Sequence, residues 1–263
     1  MMNHQISIII PVLNEETCIG KLLEHLLANS SAKNISEIIV VDGGSFDNTR
    51  HIAQAFSNFT CINNKEAFNY IDNTLLEDES VSSEGIKTPI NLLDSEKGRA
   101  KQMNLGVKST TGNILYFLHA DSLPPKYFDK LIIKEVKKGN QAGCFRMQFD
   151  SQHWWLRLAS WLTKFRWRAC RGGDQSQFIT KTLFNDIDGF DENYSIYEDN
   201  ILINELYARN QFVVINEKLK TSARMYRKHG VWKLQYLYWS IYVKKWLGAD
   251  YDALYDYYKK NIR

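Results

Sequence analysis

The sequence predicts an α/β fold built around a mostly parallel central sheet with helices on both faces. Through the first 120 residues, short apolar runs alternate with amphipathic helical patterns. The first run, Ile6–Val12, is apolar at nearly every position, which is typical of a strand buried on both faces. Polar or acidic side chains follow several of these runs, at the sheet edge where α/β folds bind their ligands. Together these observations favour parallel strands joined by crossover helices.

The predicted elements of the first half follow one another in strand–helix order. Isoleucine and leucine at helical spacing predict a helix after the first strand, and Gly43 and Gly44 permit the positive φ of a turn after the second. The predicted strands are Ile6–Val12, 37–41, 90–93 and 113–119, and the predicted helices are 15–28, 51–56 and 98–108. Residues 63–88 are polar and acidic, and a loop of that length is typically functional or mobile.

The second half is predicted to be less regular. Its predicted helices are 125–136, 154–168, 183–189 with a closing turn, 200–209 and 231–247, and its predicted strands are Ala142–Phe149 and 212–215. Because no linker interrupts the pattern, we expect a single domain with two lobes, residues 1–121 and residues 122–263.

Composition excludes several classes of protein. The 263 residues are 44% hydrophobic and 24% charged with a net charge of +3, which argues against disorder and fibrous repeats. No apolar run reaches the roughly 18 residues of a membrane span, and the N-terminal residues do not resemble a signal peptide. The four cysteines lack ligand-like spacing, which indicates reduced thiols and a cytoplasmic location. The charge is nevertheless polarised, since residues 218–263 carry 11 basic and 3 acidic side chains.

Four polar clusters at predicted element ends are candidates for chemistry. They are Asn14 with Glu15, Asp42, Asp121, and the pair Glu198–Asp199. Each has an ordinary alternative as a helix cap or a turn residue. Their recurrence at one sheet edge favours a nucleotide site, although it does not by itself name a reaction.

The motifs PVLNEE, VVDGGSFDNT, SEKGRAKQMNLG, FLHAD, GGDQ and YEDN occur in this order along the chain. Their order and spacing resemble those of family 2 glycosyltransferases with the GT-A fold, and more narrowly a bacterial subgroup with GRAKQMN, FLHAD and GGDQ motifs. The resemblance implies a nucleotide-diphosphate sugar donor, an acceptor hydroxyl, inversion of the anomeric configuration and a divalent cation, Mg²⁺ or Mn²⁺. It also implies that the lobe of residues 1–121 binds the nucleotide sugar and that the lobe of residues 122–263 binds the acceptor.

The resemblance also assigns roles to residues. Asp121 would hold the metal, with His119, which stands where the family commonly has an Asp, as a second candidate ligand. Asp199 would be the catalytic base, with Glu198 as the fallback. The implied donor-binding residues are Pro11, Leu13, Asn14, Glu15, Asp42, Gly43, Arg99, Ala120 and Asp121, and the implied acceptor or diphosphate residues are Asp174, Gln175, Arg224 and Arg227.

Tryptophan is confined to two basic segments beyond residue 150. Trp232, Trp239 and Trp246 recur every seven residues and would share one face of a helix. That face could pack on the core or on a second copy, or it could enter a membrane interface beside Lys244 and Lys245. A lipid-linked acceptor and peripheral contact with the inner face of a membrane would explain both segments. Nucleic acid is not an expected partner because no recognition motif accompanies the basic residues, and the oligomeric state stays open.

Two other functions compete with glycosyl transfer. A nucleotidyltransferase would be expected to carry a Gly-rich basic loop after the first strand, where PVLNEE is acidic instead. A non-catalytic nucleotide-binding protein on a decayed transferase scaffold would explain the His119 departure. A Rossmann dehydrogenase is disfavoured because no GxGxxG follows the first strand.

Overall fold

One eight-stranded sheet organises the described part of the chain. The computed structural model describes residues 4–61, 88–172 and 175–262. The strands are β1 (Ile6–Val12), β2 (Ile35–Asp42), β3 (Ile90–Asp94), β4 (Ile114–Phe117), β5 (Ser122–Leu123), β6 (Ala142–Phe149), β7 (Gln177–Thr180) and β8 (Val213–Thr221). Their order across the sheet is β3-β2-β1-β4-β7-β6-β8-β5.

Ten α-helices accompany the sheet in the same residues. They are α1 (Ile19–Asn29), α2 (Thr49–Cys61), α3 (Arg99–Lys108), α4 (Phe128–Lys137), α5 (Trp154–Leu162), α6 (Lys181–Asp186), α7 (Glu198–Ala208), α8 (Arg224–His229), α9 (Val231–Trp246) and α10 (Tyr251–Asn261). A 3₁₀ turn over Arg168–Cys170 separates α5 from β7.

The predicted parallel sheet is confirmed for the first half of the chain. β1 pairs in parallel with β2 on one side and β4 on the other, and β2 pairs in parallel with β3. The register places Val12 opposite Asp42 and Asp42 opposite Asp94, so these strands end together at one edge. That common edge is where the polar loops meet.

The second half of the sheet is mixed. β7 runs antiparallel to β4 and β6, whereas β8 is parallel to β6 and antiparallel to β5. The periodicity did not predict β5, β7, α8 or α10. The two strands have only two and four residues, too few to display a period, and their pairing partners lie far away in the chain.

Helices cover both faces of the sheet, as predicted. Alternate β1 residues such as Ile8 and Ile10 pack against the apolar residues of α1, α2 and α4. Ile9, which points to the opposite face, packs in a second cluster with α3, α6 and α7. β1 is therefore buried on both faces, which explains its continuous apolar run. A third cluster packs α5, α8, α9 and α10 against β6.

Several predicted helix boundaries were wrong. The second helix ends at Cys61 rather than at residue 56. The first helix begins at Ile19 rather than residue 15, because residues 14–16 bond to the loop after β2 instead of continuing a helix. The helix after the two prolines begins at Phe128, since Tyr127 adopts a left-handed φ of 61°. The helix predicted over 154–168 ends at Leu162 instead. The next residue, Thr163, donates its hydroxyl to the Ser160 carbonyl oxygen and accepts from the backbone N–H of Met147.

The tryptophan stripe on α9 does not face the core of the chain. The buried residues of α9 are Leu234, Leu237 and Ile241, whereas Trp232, Trp239 and Trp246 are 50%, 48% and 85% exposed. The core-facing alternative is therefore excluded.

In the described ranges no helix is long and apolar enough to cross a membrane. The predicted acidic loop 63–88 lies outside the described residues except for Thr88.

Candidate active site

A large cleft opens at the carboxyl ends of β1 and β4. Its volume is about 1420 Å³. The predicted site residues that line it are Pro11, Leu13, Glu15, Arg99, His119, Ala120, Asp121, Gln175, Asp199 and Arg224. The structure therefore brings together residues from both predicted lobes. Asp174 lies outside the described residues.

The loop after β1 is tied to the loop after β2. Asn14, at a left-handed φ of 57°, donates its backbone N–H to Ser45 Oγ and accepts from the backbone N–H of Phe46 at 3.0 Å. The backbone N–H of Glu15 donates to Thr49 Oγ1 at 2.7 Å. These bonds orient the loop so that the Glu15 side chain reaches the cleft. Asn14 itself is not among the residues that line it.

Asp42 is the last residue of β2 and is fully buried beside the turn that follows the strand. Its carboxylate accepts from the backbone N–H groups of Gly44 and Ser45 and from Arg50 Nη1 at 3.2 Å. Arg50 also pairs with Asp94, which holds the pKa of the Asp94 carboxyl below its ordinary value. Neither Asp42 nor Gly43 lines the cleft. Asp42 thus shapes the rim, and its contact with the donor stays a prediction.

Gln102 is a site-building residue that the sequence analysis did not single out. This buried side chain on α3 donates to the carbonyl oxygens of Val12 at 2.9 Å and Val41 at 2.7 Å, which joins the ends of β1 and β2. A Cβ on Gly43 would meet the Gln102 carboxamide at 3.0 Å. The sequence signal that could have found Gln102 is its position, because it is a polar residue three positions after Arg99 and directly before the apolar Met103.

Arg224 links the two sides of the cleft. It forms a bidentate ion pair with Glu15, and its Nε lies 3.5 Å from Asp121 Oδ2. The hydrogen bonds to Glu15 raise the pKa of Arg224 above its ordinary value, so the guanidinium stays charged. A guanidinium held between carboxylates at a cleft is suited to bind a phosphate oxygen.

Arg227, the second arginine predicted to contact the diphosphate, has other partners. Its Nη1 lies 3.0 Å from Asp150 Oδ1 and 3.2 Å from the Asp150 carbonyl oxygen. It is not among the residues that line the cleft. Its role stays a prediction.

The predicted metal ligands supply few protein donors. His119 and Asp121 both line the cleft at the end of the loop after β4, and the Asp121 side chain is 21% exposed. Within residues 4–61, 88–172 and 175–262, no group of three or more His, Cys, Asp or Glu side chains could hold a metal ion. Mg²⁺ and Mn²⁺ favour oxygen ligands, and Mg²⁺ commonly takes one or two carboxylates together with substrate phosphates and water. The donor set therefore fits a cation completed by a diphosphate.

Glu198 and Asp199 occupy the first turn of α7, which begins two residues before the predicted helix. Arg99 Nη1 lies 3.3 Å from Glu198 Oε1 and 3.4 Å from Asp199 Oδ2. Burial raises the pKa of Glu198, and the charge of Arg99 opposes this effect. Asp199 lines the cleft whereas Glu198 does not. The geometry therefore favours Asp199 as the residue that meets a substrate.

Gln175 is held by a buried arginine that the sequence analysis did not consider. Arg171 donates to Gln175 Oε1 at 2.7 Å and to the carbonyl oxygens of Thr163 and Phe165. Gln175 in turn donates to the Cys170 carbonyl oxygen. This network fixes the chain on both sides of the glycines of GGDQ, and the charged residue directly before those glycines was its sequence signal.

A small void of about 10 Å³ lies beside the cleft. His119, Gln177 and Asp199 are among the residues that line it. Gln177 is buried, and both polar atoms of its side chain lack a hydrogen-bond partner. A void of this size holds about one water molecule, which would satisfy part of this amide.

The first part of the chain matches a known family. Residues 7–75 match the model of glycosyl transferase family 2. Glycosyltransferase AglE of Haloferax volcanii is 34% identical over 119 residues, which cover 45% of this chain. That alignment spans 31% of the relative, so the chain corresponds to less than a third of its length. The range that the family model matches, residues 7–75, includes Pro11, Glu15 and Asp42 but not Asp121 or Asp199.

Solved structures show the fold. A mannosyltransferase from Pyrobaculum calidifontis, PcManGT, in complex with GDP-Man and Mn²⁺ has a TM-score of 0.64 at 14% identity, covering 98% of this chain and 70% of that one. S. aureus TarS 1-349 in complex with UDP-GlcNAc has a TM-score of 0.58 at 18% identity, covering 83% of this chain and 58% of that one. The chain has the GT-A fold of these glycosyltransferases.

Proposed function

We propose that this protein transfers a sugar from a nucleoside diphosphate sugar to an acceptor hydroxyl, with inversion at the anomeric carbon. The observation that carries the proposal is that one cleft, at the carboxyl ends of parallel strands, is lined by Asp121, Arg224 and Asp199. A diphosphate needs cationic partners and an acceptor needs a base, and these side chains supply both.

The donor would bind at the β1 and β4 end of the cleft. The family match and the GDP-Man and UDP-GlcNAc bound to the neighbours support a nucleotide-sugar donor. Arg224 would leave part of its pairing with Glu15 to bind the diphosphate. The backbone at Pro11 and Leu13 would contact the nucleoside.

A divalent cation would be held by Asp121, with His119 beside it. The Mn²⁺ in the PcManGT complex supports this assignment, and the few protein donors favour a cation that binds together with the diphosphate. When bound, the cation would neutralise charge on the leaving diphosphate. Asp121 would supply a carboxylate oxygen to the cation.

Asp199 would act as the general base. Its carboxylate would accept the proton of the acceptor hydroxyl while the hydroxyl oxygen forms a bond to the anomeric carbon and the bond to the diphosphate oxygen breaks. A single displacement of this kind inverts the configuration. Arg99 would hold Asp199 in position, and the buried Glu198 would hold the same nitrogen, Arg99 Nη1.

The acceptor would carry an apolar chain. Helices α5 and α9 form one wall of the cleft, which includes Trp155, Tyr238 and Trp239. Aromatic side chains suit a lipid or another apolar carrier better than a fully polar acceptor.

A thermal-shift screen with UDP, GDP, dTDP and CMP, each with Mg²⁺ or Mn²⁺, tests the proposal. One diphosphate is expected to stabilise the protein in a metal-dependent way, by about 2.7 kcal/mol at a hundredfold excess over its Kd. The matching nucleotide sugar should then release that diphosphate when acceptor is present. The absence of any nucleotide response would contradict the proposal, and binding without turnover would favour the decayed scaffold.

A further inference from the structure

Helices α5 and α9 carry a continuous exposed aromatic surface. Trp154, Leu158 and Trp161 form a stripe at helical spacing on α5. A second stripe runs along α9 at the same spacing and consists of Trp232, Tyr236, Trp239, Val243 and Trp246. We call these two stripes together the aromatic face.

The two stripes meet at their N-terminal ends. The ring centroids of Trp154 and Trp232 are 5.7 Å apart, and Trp155 lies between the helices at 5.4 Å from Trp232 and 5.8 Å from Trp239. Exposed apolar side chains of this number and size, packed side by side, mark a binding surface rather than scattered surface residues.

Basic side chains border the aromatic face, and acidic ones are absent from its two helices. Arg157, Lys164, Lys233 and Lys244 are all exposed. Residues 154–171 and 231–247 contain no Asp or Glu. The surface is therefore both apolar and positively charged.

We propose that the aromatic face binds the surface of a membrane that contains anionic lipids. Tryptophan and tyrosine favour the boundary between headgroups and acyl chains, and lysine and arginine beside them pair with anionic headgroups. A second copy of this chain fits less well, because a symmetric contact through this face would place the same positive charges against one another.

Membrane binding would bring the cleft to its substrate. Two residues of the aromatic face, Trp239 and Val243, also line the cleft. Trp155, which lies between the two helices, lines it as well. A lipid-linked acceptor in the bilayer could therefore present its hydroxyl to Asp199 without leaving the membrane. This last step rests on the proposed function, whereas the binding itself does not.

Co-sedimentation of the full chain with vesicles tests the proposal without nucleotide or sugar. Vesicles of phosphatidylcholine mixed with phosphatidylglycerol should bind the protein, with tryptophan emission shifting to shorter wavelength, and added salt should weaken the binding. The double variant Trp161→Ser/Trp246→Ser should lose about tenfold or more in vesicle affinity, because it removes two exposed tryptophans from the aromatic face. Neither residue lines the cleft, so the variant leaves the proposed active site intact.

The variant Phe46→Ser is the matched control, because Phe46 is 89% exposed but lies in the loop after β2. It should bind like the unmodified chain. The charge variant Lys233→Glu/Lys244→Glu should weaken binding to anionic vesicles through a change that leaves the tryptophans in place.

Two results would overturn the proposal. One is that the unmodified chain fails to bind anionic vesicles. The other is that the tryptophan double variant, with unchanged melting behaviour, binds as well as the unmodified chain. Self-association in light scattering that disappears in the double variant, without vesicle binding, would instead assign the face to a second copy. A protein that binds vesicles but transfers no sugar would contradict only the proposed function.

Discussion

Arg224 forms a bidentate ion pair with Glu15, a residue 209 positions earlier in the chain. The pair closes the cleft between the loop after β1 and the start of α8. The sequence analysis singled out both residues, yet nothing in their spacing predicted that they touch. Because Asp121 lies next to the same guanidinium, the contact places a charged arginine beside the predicted metal ligand.

Replacement of Arg224 by Ala is expected to raise the Kd for the nucleoside diphosphate about ten- to a hundredfold. A charged hydrogen bond contributes about 1.5–3 kcal/mol, and each factor of ten in Kd corresponds to about 1.4 kcal/mol. Arg224→Lys should recover only part of the affinity because it lacks the planar fork. Titration followed by thermal shift or calorimetry measures both values.

Arg209→Ala is the matched control, since Arg209 is similarly exposed but pairs with Glu205 on α7. Arg227→Ala should weaken binding less than Arg224→Ala because Arg227 pairs with Asp150 outside the cleft. Equal losses in the Arg224 and Arg209 variants would contradict the assignment.

Asp199→Asn is expected to lower the rate of transfer by about 10²–10⁴-fold while nucleotide binding is retained. The amide preserves the shape of the side chain but cannot accept the acceptor proton. Steady-state rates together with nucleotide affinity separate the two effects. Asp252→Asn, which alters an exposed carboxylate on α10, should leave both unchanged. Turnover at the unmodified rate in Asp199→Asn would exclude this residue as the base.

Glu198→Gln is expected to stabilise the protein increasingly as the pH rises from about 4.5. Burial raises the pKa of Glu198 above its ordinary value of 4.5, so in the interval between the two pKa values the folded chain keeps a proton that the unfolded chain releases. Stability contributed by this group is therefore lost as the pH rises through that interval, and glutamine removes the loss. Thermal melts of both proteins across this pH range measure the difference.

The control for this experiment is Glu205→Gln, which changes an exposed glutamate on the same helix. A gain in Tm that is equal at every pH would argue that Glu198 does not titrate with a raised pKa.

Gly43→Ala is expected to lower the free energy of unfolding by about 1–3 kcal/mol, which would lower Tm by several degrees. The new Cβ would meet the Gln102 carboxamide at 3.0 Å and disturb its bonds to Val12 and Val41. Chemical denaturation of Gly43→Ala, Gln102→Ala and the double variant forms a cycle. Since both changes act on the same contact, the double variant should lose less than the sum, and simple additivity would contradict the argument.

The parts of the fold that could be predicted are those whose evidence is local. β1 is apolar at successive positions because both of its faces are covered, and α7 begins within two residues of its predicted start. β7 could not be predicted, since four residues carry no measurable period and its place between β4 and β6 depends on distant partners.

The candidate site divides in the same way. Asp121 and Asp199 are visible as acidic residues at element ends, whereas Gln102 reaches strands that lie 61 and 90 positions away. Asp42 looks like a ligand-binding residue in the sequence, but in the structure its carboxylate is occupied by the turn and by Arg50. Sequence spacing cannot distinguish an exposed carboxylate from one that holds its own loop.

The sequence by itself determined the α/β class, the parallel first half of the sheet and the acidic residues Glu15, Asp121 and Asp199 of the cleft, because hydrophobic period and polarity at element ends are local properties. Only the tertiary structure decided which of those residues meet. It paired Glu15 with Arg224, turned Asp199 toward the cleft and Glu198 away from it, and exposed the tryptophans of α9. These outcomes depend on how distant elements pack, since each is set by contacts between segments that the chain itself keeps far apart.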